Sequence, residues 1–214
     1  MGQEVAKSPI DIACWDILGK SLNRPISALI GGVINERFPI YEAVPLGPPE
    51  SMGEFIAERR KAGINRFQLK VGNNPHDDIA CTQASIEAGD ANTVIVADSN
   101  GGWSLSAAKR AFQGLSGLPV YIEQPCRTTA DCILAVRGSN VPLVLDESII
   151  SHDEVYRAKY EANAVSINLK FGKLGGLTNV VKARDLLQEL NMACRLRCDG
   201  LVPQHRGYDS LGRL

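Results

Sequence analysis

Five short apolar runs in this chain end on a charged residue, and the ends recur at a nearly constant spacing. Phe67-Gln68-Leu69-Lys70 closes on lysine, Val94-Ile95-Val96-Ala97-Asp98 on acid, and Val120-Tyr121-Ile122-Glu123 on acid again. Pro142-Leu143-Val144-Leu145-Asp146 and Val165-Ser166-Ile167-Asn168-Leu169-Lys170 complete the set. Lys70, Asp98, Glu123, Asp146 and Lys170 are separated by 28, 25, 23 and 24 residues, close to one strand, one helix and two short loops. A period of that length lets all five charges sit on one rim of one sheet.

The segments between the runs fit that unit. A strand is expected at Ile40-Tyr41-Glu42-Ala43-Val44, followed by a helix from about Ser51 to Ala62 that Gly63 terminates. Strands at 66–71, 93–98, 119–123, 142–146 and 164–170 then alternate with helices at 77–88, 105–115, 129–136, 153–160 and 177–190. The later strands are rich in β-branched residues and nearly continuously apolar, as in sheets covered by helices. Strict alternation implies an α/β fold with a parallel sheet and right-handed crossovers. An open doubly wound sheet would place its ligand near one switch point, whereas here five successive strands end in chemistry-bearing residues. A (β/α) TIM-type barrel with its active rim at the C-terminal ends is therefore the expected architecture.

Ahead of the repeat, 9–22 reads as a helix with Ser8 as N-cap and Pro9 as its first residue. Ile10, Ala13, Cys14, Ile17 and Leu18 form its apolar face, and Asp11, Asp16 and Lys20 take the others. A short turn follows at Ile26-Ser27-Ala28-Leu29-Ile30, stopped by Gly31-Gly32. Leu190-Asn191-Met192-Ala193-Cys194-Arg195 leads into a seventh strand. Beyond Arg197 no helix or strand period is visible. The expected organisation is thus 1–36 as a linker outside the repeat, 37–196 as a partial barrel and 197–214 as an irregular tail.

The net charge of −1 gives no footprint for nucleic acid or an anionic membrane. No apolar run approaches a membrane span and no signal-peptide segment opens the chain, so a soluble cytoplasmic protein is expected. Cys14, Cys81, Cys126, Cys132, Cys194 and Cys198 are scattered through a chain long enough not to need staples, which suits free thiols in a reducing compartment. Cys194, Cys198 and His205 are an incomplete tetrahedral set, so zinc is not expected there. Glycine-rich nucleotide motifs after an early strand are absent.

One acid at a strand end is most simply a helix cap or half of a surface ion pair. Three in register at a regular period, converging on one desolvated place, call for a compensating cation, and all-oxygen ligands suit Mg²⁺. Lys70 and Lys170 flank the trio, where a lysine beside a metal can work as an acid or base on a substrate held between them. Lys173 reads as structural.

These residues resemble a known family. Ala6-Lys7-Ser8-Pro9-Ile10-Asp11-Ile12-Ala13-Cys14-Trp15-Asp16-Ile17-Leu18-Gly19-Lys20 with Leu29-Ile30-Gly31-Gly32 resembles the segment joining capping domain to barrel in the mandelate racemase and muconate lactonising branch of the enolase superfamily. Leu69-Lys70-Val71-Gly72, Asp98-Ser99-Asn100, Ile122-Glu123-Gln124-Pro125, Asp146-Glu147-Ser148 and Asn168-Leu169-Lys170-Phe171-Gly172-Lys173-Leu174-Gly175-Gly176 are similar to its successive strand endings.

The resemblance implies Mg²⁺ on Asp98, Glu123 and Asp146, an acid/base pair of Lys70 and Lys170, and support from Asn100 and Glu147. Gln68 stands where many relatives have the first lysine of Lys-x-Lys, which removes a positive neighbour of Lys70. Tyr41 is a candidate for the substrate pocket. The implied reaction is removal of a proton next to a carboxylate, with racemisation or epimerisation of an amino acid or proline-betaine-like acid favoured. Dehydration of an acid sugar or hydroxyproline, cycloisomerisation, or a silent partial barrel are the alternatives. The implied partner is a small-molecule carboxylate, and full-length relatives are expected to be homo-oligomers. Against the family pattern the chain reads as truncated at both ends, with 1–36 as a remnant of the capping domain, only its last helices, and the linker, leaving two parallel sheet edges to cover.

Overall fold

The computed structural model describes residues 3–33, 40–197 and the pair 207–208. Helices α1 (Glu4–Ser21) and α2 (Ile26–Leu29) precede the repeat, which opens with β1 (Ile40–Val44), α3 (Pro49–Lys61), β2 (Arg66–Lys70) and α4 (Pro75–Glu87). It continues through β3 (Val94–Asp98), α5 (Leu105–Gly114), β4 (Val120–Glu123), α6 (Thr129–Val136), β5 (Leu143–Leu145) and α7 (His152–Tyr160). The last elements are β6 (Ser166–Lys170), α8 (Phe171–Leu174), α9 (Leu177–Glu189), β7 (Ala193–Arg197) and β8 (Gly207–Tyr208). Each strand and helix expected from the repeat has its counterpart, with ends shifted by a residue or two.

Strands β1 to β7 run parallel in sequence order, and β8 adds to β1 antiparallel through Ile40↔Tyr208 and Tyr41↔Gly207. The sheet curls far enough for β8 to approach β7 as well. This pairing corrects the reading of everything past Arg197 as irregular, since two paired residues are too few to show a period. His205 and Cys198 lie outside the described residues.

The sheet's two faces differ. Phe67, Leu69, Ile95, Ala97, Ile122, Leu143, Leu145, Ile167 and Leu169 face the helices and form the core with Ile56, Phe112, Val155 and Leu187. The alternate positions, including Gln68, Asp98, Glu123, Asn168 and Arg195, face the inside of the curl and are buried and polar. Helices therefore cover one face, as a barrel requires and an open doubly wound sheet does not. The helices following β2 to β5 start on side-chain caps, with Asn74, Ser104, Thr128 and Ser151 each accepting a backbone N–H of the first turn.

The first helix departs from expectation twice. It begins one turn early, at Glu4, so Ser8 is interior and Pro9 lies within the helix rather than at its start. As the sixth helical residue Pro9 lies past the unpaired first-turn N–H groups, so it forgoes one intrahelical bond, the one to the Val5 carbonyl. The packed face is also the opposite one. Ser8 and Gly19 are buried while Ile10, Ile17 and Leu18 are exposed, because α1 docks on α8 and α9 through polar contacts. Thr178 N–H donates to Asp11 Oδ2 at 2.9 Å, and Trp15 Nε1 donates to Thr178 Oγ1 at 2.9 Å. Gly176, at φ +122°, leaves room for the Asp11 carboxylate, which a Cβ would approach within 2.5 Å. Among the described residues no helix is long and apolar enough to cross a membrane.

Candidate active site

Parallel register brings the charged strand ends together. Lys70 pairs across with Asp98, and Asp98 with Glu123, so three consecutive strands present one side chain each at the same level of the inner face. Asp98, Glu123 and Asp146 are all fully buried. Burial of three carboxylates demands partners, and the structure supplies them from both flanks.

Lys70 Nζ lies 2.6 Å from Asp98 Oδ2 and donates to Asn100 Oδ1 at 2.9 Å. Lys170 Nζ lies 2.8 Å from Asp146 Oδ2. Burial alone would raise the Asp146 carboxyl, but Lys170 and Lys173 outweigh it and hold the group below the ordinary carboxylate range. Asn100, at φ +47°, folds its amide back to donate to Asp98 Oδ2 at 3.0 Å and Glu147 Oε1 at 3.1 Å. The left-handed conformation suits asparagine in a tight turn.

Two amides tie the acids to one another. Gln68 Nε2 donates to Asp98 Oδ2 at 2.9 Å and to Glu123 Oε2 at 3.2 Å. Asn168 Nδ2 donates to Glu123 Oε1 at 2.7 Å, and the Asn168 side chain also hydrogen-bonds Asp146. Three carboxylates sharing two bridging amides necessarily converge.

All the sequence-derived site residues reach this constellation except Tyr41, which joins it indirectly. Tyr41 is buried on β1 with its ring centroid 5.4 Å from the Arg195 guanidinium carbon. Sequence reasoning missed four neighbours. Asn168 sits two residues before Lys170, so strand alternation alone puts both on one face. Arg195 Nη1 lies 3.1 Å from Glu123 Oε2 with both groups buried, but it belongs to a seventh strand whose pattern breaks off just beyond. Lys173, read as structural from the sequence, stands beside the trio as an ion-pair partner. It stands on α8, a one-turn helix with too few residues to announce itself, and its Nζ lies 3.2 Å from Asp146 Oδ1. Gln124, at φ +37°, accepts the Asp146 N–H at 2.8 Å and the Ser148 N–H at 3.2 Å through Oε1, fixing the turn after β5.

The donor chemistry fits a hard divalent cation. Every candidate ligand is an oxygen, and Glu147 Oε2 and Asn168 Oδ1 are buried without a hydrogen-bond partner among the described residues. Among those residues no three Asp, Glu, His or Cys side chains are drawn into a closed metal shell. The acids are bridged by the amides and cations instead.

Known proteins show the same arrangement of chain. Residues 51–205 match the family described as Enolase C-terminal domain-like, and residues 1–31 match the mandelate racemase / muconate lactonizing enzyme N-terminal domain. The chain is 40% identical to a cis-3-hydroxy-L-proline dehydratase from Roseibium aggregatum over 86% of its own length and 50% of the relative's. It is 35% identical to an N-succinyl-L-Arg/Lys racemase from Bacillus cereus, over 91% of this chain and 54% of that one. A crystal structure of an enolase superfamily member from Roseovarius nubinhibens, complexed with magnesium, superposes with a TM-score of 0.86 at 29% identity. That match covers 94% of this chain and 55% of the other. The chain therefore spans about half the length of the curated relatives it matches. With its parallel strands, its charged rim and both family matches in agreement, the chain belongs to the mandelate racemase and muconate lactonizing enzyme branch of the enolase superfamily.

Proposed function

We propose that this site removes a proton from the carbon next to a substrate carboxylate, with Mg²⁺ held by Asp98, Glu123 and Asp146. When bound, the cation supplies positive charge where negative charge develops on the substrate carboxylate. The observation that carries the reading is the placement of the two lysines. Lys70 and Lys170 end β2 and β6, with the three carboxylate strands between them, and each is bonded to a different acid of the trio.

A substrate lying over the trio would have one lysine toward each side. The lysine present as amine accepts the α-proton, and the one present as ammonium donates a proton to the opposite face. Asn100 holds Lys70 Nζ through its Oδ1 and so aims it. Gln68, Asn168 and Arg195 hold the acids converging without entering the proton path. Proton removal on one face and return on the other is racemisation or epimerisation, and the racemase relative supports it. Dehydration of a cyclic hydroxy amino acid shares the first step, and the dehydratase relative favours it as the second reading. In either case we assign the substrate to amino acids or proline-betaine-like acids.

Exchange of substrate α-protons into deuterated water tests the assignment. With Mg²⁺ and a panel of cyclic and acyclic amino and hydroxy acids, the chain should exchange one class. Lys70→Ala should abolish exchange from one enantiomer and Lys170→Ala from the other, each by about 10³-fold or more. Lack of exchange with every panel member would overturn the proposal for this chain.

A further inference from the structure

The helices that follow β2 to β5 start on caps of their own, but α9, after β6, starts on Gly176, which has no side chain to offer. Its cap comes from α1 instead. Asp11 Oδ2 accepts the Thr178 N–H at 2.9 Å and Asp11 Oδ1 the Thr178 hydroxyl at 2.5 Å, across 167 residues of chain. Thr178 is the second residue of α9, a position whose N–H an N-cap side chain takes, and a carboxylate there also suits the positive end of the helix. Gly175 and Gly176 admit the contact. A Cβ on Gly175 would run into the Glu4 carboxylate and one on Gly176 into Asp11, so the pair lets both α1 acids reach the junction of α8 and α9.

The segment held in this way carries the second lysine of the site. Lys170 ends β6 and is also the N-cap residue of α8, whose single turn closes through bonds from the Gly175 and Gly176 N–H groups to the Phe171 carbonyl. Asn179 Nδ2 ties α9 back to the turn at the Leu174 carbonyl, at 2.8 Å. Lys170 Nζ and Lys173 Nζ then meet the two oxygens of Asp146, at 2.8 and 3.2 Å. A single turn has little cooperativity of its own and depends on how its ends are fixed. The sheet fixes the Lys170 end, and Asp11 fixes the end that runs into α9. Lys70 has a separate support, from Asn100 in the turn after β3.

We propose that Asp11 is a positioning residue for Lys170. By capping α9 from the preceding segment it holds α8, and with it the direction in which the Lys170 side chain leaves the strand. The role rests on the proton transfer proposed above and adds an asymmetry to it, because loss of Asp11 disturbs one lysine and spares the other.

Backbone amide exchange and stereospecific α-proton exchange test the role together. In Asp11→Ala the amides of residues 171–180 should exchange faster by about fivefold or more, the scale of a lost N-cap, while those of β2 and β3 keep their protection. With Mg²⁺ and the same panel of amino and hydroxy acids, each as both enantiomers, α-proton exchange from the enantiomer that depends on Lys170 should slow by about 10- to 100-fold. Exchange from the enantiomer that depends on Lys70 should be unchanged. Asp11→Asn keeps an acceptor for the Thr178 N–H and should restore both readouts. Arg184→Ala removes another hold on the N-terminal segment, the bond from Nη1 to the Ile30 carbonyl at 2.8 Å, and should change neither. Unchanged protection of 171–180 in Asp11→Ala, equal slowing from both enantiomers, or an equal effect of Arg184→Ala would overturn the role and leave the proposed chemistry standing. Failure of Asp11→Asn to restore the readouts would do the same. Absence of exchange from every panel member in the unaltered chain would overturn the chemistry and the role with it.

Discussion

Arg195 meets Glu123 inside the curled sheet, Nη1 to Oε2 at 3.1 Å, with both side chains almost wholly out of water. Removing one member of such a pair strands a buried charge, which costs more than the pair itself contributes. Arg195→Met should therefore lower unfolding free energy by about 3 kcal/mol. Arg195→Met combined with Glu123→Gln should lose clearly less, because no uncompensated charge remains. Urea unfolding of the single and double variants checks this, and equal losses would show that Arg195 acts through packing against Tyr41 instead.

Asp78 is the clamp behind Lys70. Its Oδ2 accepts the Gly72 and Asn73 N–H groups at 3.0 Å each and Trp103 Nε1 at 2.8 Å, tying the loop after β2 to the loop after β3. Hydrogen bonds to a buried carboxylate are among the stronger ones, so Asp78→Ala should cost roughly 2–3 kcal/mol. In a Trp15→Phe background Trp103 is the sole tryptophan. Its emission should shift to the red in Asp78→Ala as the indole loses its partner and meets water. Unchanged emission would mean the loops are held by other contacts.

Cys194 offers a test at alkaline pH. Burial pushes its thiol up to about 11, against a smaller opposing pull from Arg184. The folded state thus holds the proton that the unfolded chain releases from an ordinary thiol, so the stability linked to this group is intact below pH 9 and is lost as pH rises toward 11. Its size is on the order of 2 kcal/mol across that window. Cys194→Ala loses some packing at every pH, but its melting temperature should fall less steeply between pH 9 and 11 than that of the unaltered chain. Parallel slopes would refute the assignment.

The barrel and most of the site were legible because both rest on periods. A strand, a helix and two loops per unit set the spacing of Lys70, Asp98, Glu123, Asp146 and Lys170, and parallel register then aligns them without further information. Where no period exists the sequence was silent or misleading. The one-turn α8 that carries Lys173, the two-residue β8 and the positive φ at Gln124 are each too local to leave a pattern. The apolar stripe Ile10, Ile17 and Leu18 pointed to the wrong face of α1, because the contact that docks this helix is polar and depends on Asp11 reaching the backbone of a residue far along the chain. Asn168 was within reach, since it shares parity with Lys170 on one strand.

Magnesium binding by calorimetry tests the central claim most directly. The folded chain should bind Mg²⁺ at one site, and Asp98→Asn, Glu123→Gln and Asp146→Asn should each weaken that binding by at least about tenfold while circular dichroism shows the fold retained. Lys109→Ala, on the exposed side of α5, should leave it unchanged. Absence of binding to the folded chain, or binding that survives loss of all three carboxylates, would contradict the account.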